Sequence, residues 1–320
     1  MRRIDVFNGD ADGICALHQL RLAEPCDSTL VTGVKRDIAL LKRVEAREGD
    51  QVTVLDISLE VNRHDLLRLL VNGARVRYFD HHFAGDLPDS PHFEGHIDER
   101  SEVCTSLIVN DAIGGRYLPW AVVAAFGDNL HDAARQAAEP MHLSEDQLQM
   151  LQRLGECINY NGYGAAVDDL FYAPDALYRA IHPHADPFAF IAESDIYPKL
   201  RDGMNGDLQQ AQELPVKLLG AAAVVMLPDA PWARRVSGVF ANELARANRG
   251  RAHALLTELA DGAYLVSVRA PLNNPAGAGE LCQKFATGGG REAAAGINHL
   301  PAEQLDTFID AFRHQYKDAV

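Results

Sequence analysis

Asp10 and Asp12 in Asn8-Gly-Asp-Ala-Asp-Gly13, Asp56 in Val-Leu-Asp-Ile-Ser, Asp80-His81-His82, and Asp128 in Phe-Gly-Asp-Asn are the residues whose types could do chemistry together. Each group stands where an apolar run stops. Carboxylates gathered in one place repel one another and are costly to desolvate unless cations sit among them. Oxygen ligands joined by one or two imidazoles suit manganese or magnesium better than zinc. Two such ions about 3.5 to 4 Å apart form the clamp used in phosphate ester hydrolysis, where water is activated for in-line attack. Taken alone, Asp-Ala-Asp-Gly reads equally well as a strand-to-helix turn with Asp12 near the helix N-terminus. Asp56 and Asp80-His81-His82 at the ends of two further runs tip the reading toward a metal centre.

The elements that must position these groups follow from the hydropathy pattern. Ile4 to Phe7, Val52 to Leu55 and Val76 to Phe79 are short strand-like runs, and Ile14 to Leu22 and Val61 to Leu70 are longer amphipathic stretches. The alternation predicts β-α-β-α-β, a mostly parallel sheet covered by helices. In open α/β sheets ligands bind at the carboxyl ends of the strands, so the acids would converge on one crevice. From about Leu118 to Ala189 the chain reads as helical and irregular. Arg201-Asp-Gly-Met-Asn-Gly-Asp207 has the punctuation of a linker, giving a first domain over residues 1–205 and a smaller α/β module over 206–320. Within the second, the pattern predicts a strand over Ala221 to Leu227, a helix over Val236 to Ala247, and a hairpin across Asp261-Gly262. A helix over Gly279 to Ala286, a strand near Gly296 to Asn298 and a last helix over Glu303 to Tyr316 follow. The run Gly288-Gly289-Gly290 could turn backbone N–H groups toward an anion, and Arg291 beside it and Arg269 at the end of Leu265-Val-Ser-Val-Arg could grip a phosphate or a guanine edge.

Thirty Lys and Arg stand against 45 Asp and Glu, a formal net charge of −15. Such a surface repels duplex DNA and favours a short, compact substrate over a polymer track. With 320 residues, 47% of them hydrophobic, the chain can bury cores that need no disulfides. Its five cysteines (Cys15, Cys26, Cys104, Cys157, Cys282) are scattered and form no C-x-x-C pair, which points to a reducing, cytoplasmic compartment. The apolar start is interrupted by Asp5 and no later run is long enough to span a bilayer, so neither an export signal nor a membrane partner is expected. Among weaker features, Thr105-Ser106 reads as a helix cap and His182 and His184 as a solvated loop.

In Asn8-Gly-Asp-Ala-Asp-Gly13, Asp56, Asp80-His81-His82, Asp128 and Gly288-Gly-Gly-Arg-Glu-Ala-Ala-Ala-Gly296, taken in that order, the chain resembles the DHH phosphoesterases with their associated C-terminal domain. The likeness spans nearly the whole chain. It implies two domains with the active-site cleft between them, two manganese ions with magnesium as an alternative, and hydrolysis of phosphodiester or phosphoanhydride bonds. Carried over by position, Asp10 and Asp56 would hold the first ion and Asp12, Asp56, His81 and Asp128 the second, with Asp56 bridging. His82 would face the scissile phosphate and Asp80 would orient a histidine. Many relatives carry a histidine at the position of Val6, and RecJ-type exonucleases an aspartate at that of Asn8. A neutral amide at Asn8, kept here in or near the ligand shell, implies a looser first site. Arg291 stands where relatives commonly carry histidine.

The leading expectation is a manganese-dependent phosphodiesterase acting on a linear dinucleotide or few-nucleotide oligomer. The opening Asp-Val-Phe-Asn-Gly-Asp-Ala-Asp-Gly resembles a bacterial subgroup that clears pGpG, the linear product of a cyclic dinucleotide signal. The alternatives are a RecJ-type single-strand exonuclease, an inorganic pyrophosphatase and a non-hydrolytic nucleotide sensor. All leave room for a homodimer.

Overall fold

The computed structural model describes residues 1–317. They divide into two compact units, Met1–Gly203 and a second from Met204 onward. The first contains β1 (Arg3–Phe7), α1 (Ala11–Ala23), β2 (Thr29–Val31), β3 (Gln51–Leu55), α2 (Leu59–Val71), β4 (Arg75–Asp80), β5 (Phe93–Ile97), α3 (Thr105–Ala112), α4 (Leu118–Gly127), α5 (His131–Ala138), α6 (Glu145–Asn161), α7 (Pro174–Ile181) and α8 (Pro187–Glu193). Its five strands are all parallel in the order β2-β1-β3-β4-β5. This is a doubly wound order whose ligand crevice falls at the C-terminal ends of β1 and β3. The register makes the crevice specific. Phe7 pairs with Leu55 and Leu55 with Phe79, so Asn8, Asp56 and Asp80 emerge level along one sheet edge.

Ile4, Val6, Val52, Val54, Val76 and Tyr78 bury one face of this sheet under Leu66, Leu69 and Leu70 of α2. The α4 helix is buried from Trp120 to Gly127, and its approach to α6 depends on two glycines. A Cβ on Gly155 would sit 2.1 Å from the Val123 carbonyl oxygen, and one on Gly127 2.8 Å from that of Gly155. This contact fixes the end of α4, where Asp128 stands.

The stretch read as a linker is helical. The α9 helix (Ile196–Gln212) runs unbroken through Arg201-Asp-Gly-Met-Asn-Gly-Asp207. Leu200, Met204, Asp207 and Ala211 are buried at helical spacing, and a Cβ on Gly203 would meet the Phe171 ring at 2.5 Å. Packing has overridden the weak helix propensity of glycine and asparagine.

The second unit continues with β6 (Val216–Leu219), β7 (Ala222–Leu227), α10 (Pro231–Ala247), β8 (Ala252–Glu258), β9 (Tyr264–Arg269), α11 (Ala278–Cys282), β10 (Gly288–Gly290), β11 (Ala294–Leu300) and α12 (Leu305–Gln315). Its six strands lie in the order β10-β11-β9-β8-β7-β6, with only β7 and β8 parallel. The hairpin across Asp261-Gly262 forms as the pattern predicts, with Gly262 at φ +83°. The helix foreseen over Gly279 to Ala286 stops at Cys282. Gly288, Gly289 and Gly290 form an edge strand rather than an anion-cradling loop, pairing with Ile297, Gly296 and Ala295. Glycine is needed there because a Cβ on Gly288 would overlap the Cys282 carbonyl oxygen at 1.7 Å. Among the described residues no helix is long and apolar enough to cross a membrane.

Candidate metal centre

Asp10 ends the turn after β1 and caps α1. Its Oδ1 accepts the N–H groups of Asp12 and Gly13, both at 3.1 Å. Asp12, in the first turn of α1, is buried and grips the start of α3, accepting the Thr105 and Ser106 N–H groups at 2.7 Å each. An anion at a helix N-terminus is favoured by the free N–H groups and the dipole. Thr105 and Ser106 are thus the first residues of α3 rather than its cap: Cys104 holds the N-cap position, and Asp12 from α1 takes up their N–H groups.

Asp56 leaves β3 with φ +59°, a left-handed conformation that aspartate tolerates better than most residues. Such a strained turn at a strand end is typical of sites where a side chain must be aimed. Its Oδ1 accepts from Thr105 Oγ1 at 3.2 Å. Burial, and then the charges of Asp12, Asp10, Asp128 and Asp80, push the Asp56 carboxyl well above the usual carboxylate range. Asp128 caps the C-terminal end of α4, where the helix dipole disfavours an acid. Burial and Asp12 push it up to about 6, while Lys35 pulls the other way.

His81 carries the argument for a cation. Its Nδ1 lies 2.9 Å from the Val103 carbonyl oxygen, so that nitrogen holds the proton. Nε2 then turns toward Asp56 Oδ1 at 3.4 Å, Asp128 Oδ2 at 3.9 Å and Asp12 Oδ2 at 4.0 Å. Three carboxylates and this nitrogen face one another, a donor set able to hold a cation. Single donor atoms of Asp12, His81 and Asp128 all lie within 4.8 Å of one another, as do those of Asp56, His81 and His82. The oxygen-rich set with one imidazole fits manganese or magnesium.

His82, a member of the second of these groups, has its Nδ1 2.7 Å from Asp80 Oδ1 and its side chain 43% exposed. The hydrogen bond to Asp80, outweighing partial burial, raises the His82 pKa and favours its charged form. Asp80 itself is buried, and its Oδ2 has no hydrogen-bond partner.

The geometry brings Asn8, Asp10, Asp12, Asp56, Asp80, His81, His82 and Asp128 to one sheet edge, and adds residues that sequence reasoning missed. Lys35, Val103, Thr105 and Asn159 all touch the cluster, Lys35 through Asp10 Oδ2 at 2.6 Å. Burial alone would push the Lys35 ammonium down; the charges of Asp10, Tyr163 and Asp128 and its bond to Asp10 hold it above the usual lysine range. The only signal for Lys35 was its place just beyond β2, a strand of three residues, none of them buried. The second-unit residues stand apart from this cluster in sequence. Arg269 donates to Asn242 Oδ1 at 2.7 Å, Ser267 Oγ at 3.0 Å and the Val268 carbonyl at 3.0 Å, whereas Arg291 is exposed on the turn after β10.

The five-strand parallel sheet with its acid-rich edge, followed by a second mixed sheet with helices, is a DHH-type fold. Its structural neighbours are DHH-domain proteins. An exonuclease RecJ bound to manganese superposes with a TM-score of 0.68 at 18% identity, covering 99% of this chain and 90% of that one. The DHH domain of PF0399, a protein assigned to a family of ribosomal proteins, gives 0.64 at 15% identity, over 99% and 87%. The pGpG-specific phosphodiesterase PggH of Vibrio cholerae gives 0.60 at 14% identity, over the whole of both chains. No protein-family model and no curated protein matches the sequence.

Proposed function

We propose that this chain is a divalent-metal-dependent phosphodiesterase that cleaves very short nucleic acids, above all linear dinucleotides such as pGpG, to mononucleotides. One observation carries the reading: His81 turns its Nε2 on carboxylate oxygens of Asp12, Asp56 and Asp128, all within 4.0 Å. Residues 1–205 would form the catalytic domain and 206–320 the substrate-binding domain. Asp12, Asp56, His81 and Asp128 would hold manganese or magnesium, which supplies a Lewis acid for a phosphoryl oxygen and makes water a nucleophile near neutral pH.

The remaining work falls to the chain. The Thr105 and Ser106 N–H groups lock Asp12 in place, and the Val103 carbonyl fixes the tautomer and plane of His81. His82, held by Asp80 in a contact that favours its charged form, would offer its Nε2–H to a non-bridging phosphate oxygen or to the departing oxygen. Arg291, exposed, would take a base edge or terminal phosphate, with the glycine edge of β10 allowing close approach. The net charge of −15 favours a short substrate. A pGpG-specific phosphodiesterase among the neighbours supports the same size class.

The test is a panel of 5′-phosphorylated oligonucleotides of increasing length from the dinucleotide, with cyclic dinucleotides and pyrophosphate, run with each metal. The dinucleotide should be cleaved fastest, and Asp12→Ala and His81→Ala should abolish the release of mononucleotides. Preference for long oligomers would replace this reading with a RecJ-type exonuclease, and preference for pyrophosphate with a pyrophosphatase. Binding without cleavage would leave a sensor.

A further inference from the structure

The two halves of the centre are built differently. On the His81 side, carboxylate oxygens of Asp56, Asp128 and Asp12 lie 3.4, 3.9 and 4.0 Å from the imidazole Nε2. On the Asn8 side a cation is built in. Lys35 Nζ lies 2.6 Å from Asp10 Oδ2, 3.0 Å from Asn159 Oδ1 and 3.5 Å from Asp128 Oδ1. An ammonium has three donors, and three acceptors surround this one. The Tyr163 ring lies 5.9 Å away, and its hydroxyl accepts from Asn159 Nδ2 at 3.1 Å. Asp10 is therefore engaged on both oxygens, one by the α1 N-terminus and the other by Lys35.

Asn8 explains why the lysine stays there. Its Nδ2 donates to the Lys35 carbonyl oxygen at 3.3 Å, while the Lys35 N–H donates to the Gly162 carbonyl at 2.8 Å. A carboxylate at position 8 would face that carbonyl acceptor to acceptor. The amide withholds a negative charge from this half and the lysine adds a positive one, so both changes act against a second divalent ion. Asn8 is then a clamp on the Lys35 backbone, and its Oδ1 is buried without a hydrogen-bond partner.

We propose that the Lys35 ammonium takes the place of one of the two ions, leaving a centre that holds a single manganese or magnesium ion at Asp12, Asp56, His81 and Asp128. The inference rests on the metal-dependent reading above and goes beyond it in the count. Lys35 is a positioning residue. It balances Asp10, steadies Asp128 and Asn159, and cannot dissociate when metal is scarce.

The experiment counts manganese. Wild-type protein equilibrated with excess Mn2+ and freed of unbound ion should carry one manganese per chain by elemental analysis, with the hyperfine-resolved electron paramagnetic resonance spectrum of an isolated ion. The double variant Asn8→Asp/Lys35→Ala should carry two, with that spectrum replaced by a spin-coupled one. Two coupled ions in the wild type would overturn the proposal while leaving the phosphodiesterase reading intact. No bound manganese would overturn both. A folded double variant that still binds one ion would also overturn it, because the lysine would not be what excludes the second. The wild-type count decides the matter even if the double variant does not fold.

Discussion

Asp5 and Asp10 lie at opposite ends of the same short piece of chain, and both are buried. Asp5 accepts from Arg21 Nε at 2.8 Å, Arg21 Nη2 at 2.6 Å and Ser28 Oγ at 2.6 Å, while Arg21 also reaches Thr53 Oγ1 at 3.0 Å. That grouping is balanced, one acid to one base with its hydrogen bonds made. At the other end Asp10, Asp12, Asp56 and Asp128 crowd together, and Lys35 is the lysine that reaches them, through Asp10 and Asp128. Buried acids alone therefore do not mark a site in this fold. The mark is a surplus of buried charge that the chain does not itself neutralise, together with an imidazole aimed into it.

The comparison breaks first at Asp56. Asp56→Asn should lower dinucleotide hydrolysis by at least about four decades, ~5 kcal/mol of transition-state stabilisation. It should leave the metal-free protein as stable as wild type or more so, because it removes a charge from a cluster of like charges. Steady-state rates and urea melts on the same preparation decide this. A large loss of stability without a loss of rate would make the acidic edge a structural device like Asp5. At the balanced end the signs reverse. Arg21→Met strands Asp5 without its counter-ion and should cost about 3–5 kcal/mol in a urea melt. Hydrolysis per folded molecule should be unchanged.

That contrast also explains what was legible in the sequence. Asp10, Asp12, Asp56, Asp80, His81 and Asp128 could be read because each ends a strong apolar run, and register then sets the first three strand ends level. Lys35 could not, because β2 is three residues long and pairs through backbone bonds that leave no hydropathy signature. β5, Phe-Glu-Gly-His-Ile, was hidden for the same reason at the opposite edge of the sheet. In the second unit the glycine run was visible but its conformation was not. Whether Gly288 turns or extends is decided by the α11 carbonyl pressed against it, a contact that is remote in pattern though near in sequence. Helix α9 was misread because the burial of Leu200, Met204 and Ala211 outweighs local propensity.

His18 extends the comparison to a third buried group, one kept neutral. It lies within α1 with its Nε2 3.0 Å from the His184 carbonyl oxygen and its Nδ1 without a partner, beside Trp120 and His182. Burial lowers its pKa to about 3. The folded state therefore binds this proton less readily than the unfolded chain, whose histidines titrate near 6.5. The stabilisation is whole above that value and is lost as pH falls toward 3. Between pH 6.5 and 5 the loss should be about 2 kcal/mol. His18→Gln keeps a donor for the His184 carbonyl but cannot titrate, so its stability should fall less steeply with acid over that window. Parallel slopes for the two proteins would place the acid sensitivity elsewhere.

The smallest effect separates the two guanidinium groups of the second unit. Arg269 has donors committed to Asn242, Ser267 and the Val268 carbonyl, so its removal should loosen the packing of β9 against α10 before it touches binding. Arg291 is exposed, and its backbone N–H closes the turn by donating to the Ala294 carbonyl at 2.9 Å, which leaves the guanidinium outside the hydrogen bonds that hold that turn. A group that binds a remote part of the substrate equally in the ground and transition states raises KM without lowering kcat when it is lost. Arg291→Ala should therefore raise KM for the dinucleotide about tenfold, ~1.4 kcal/mol, at unchanged kcat. A fall in kcat at unchanged KM would instead place Arg291 at the reacting phosphate.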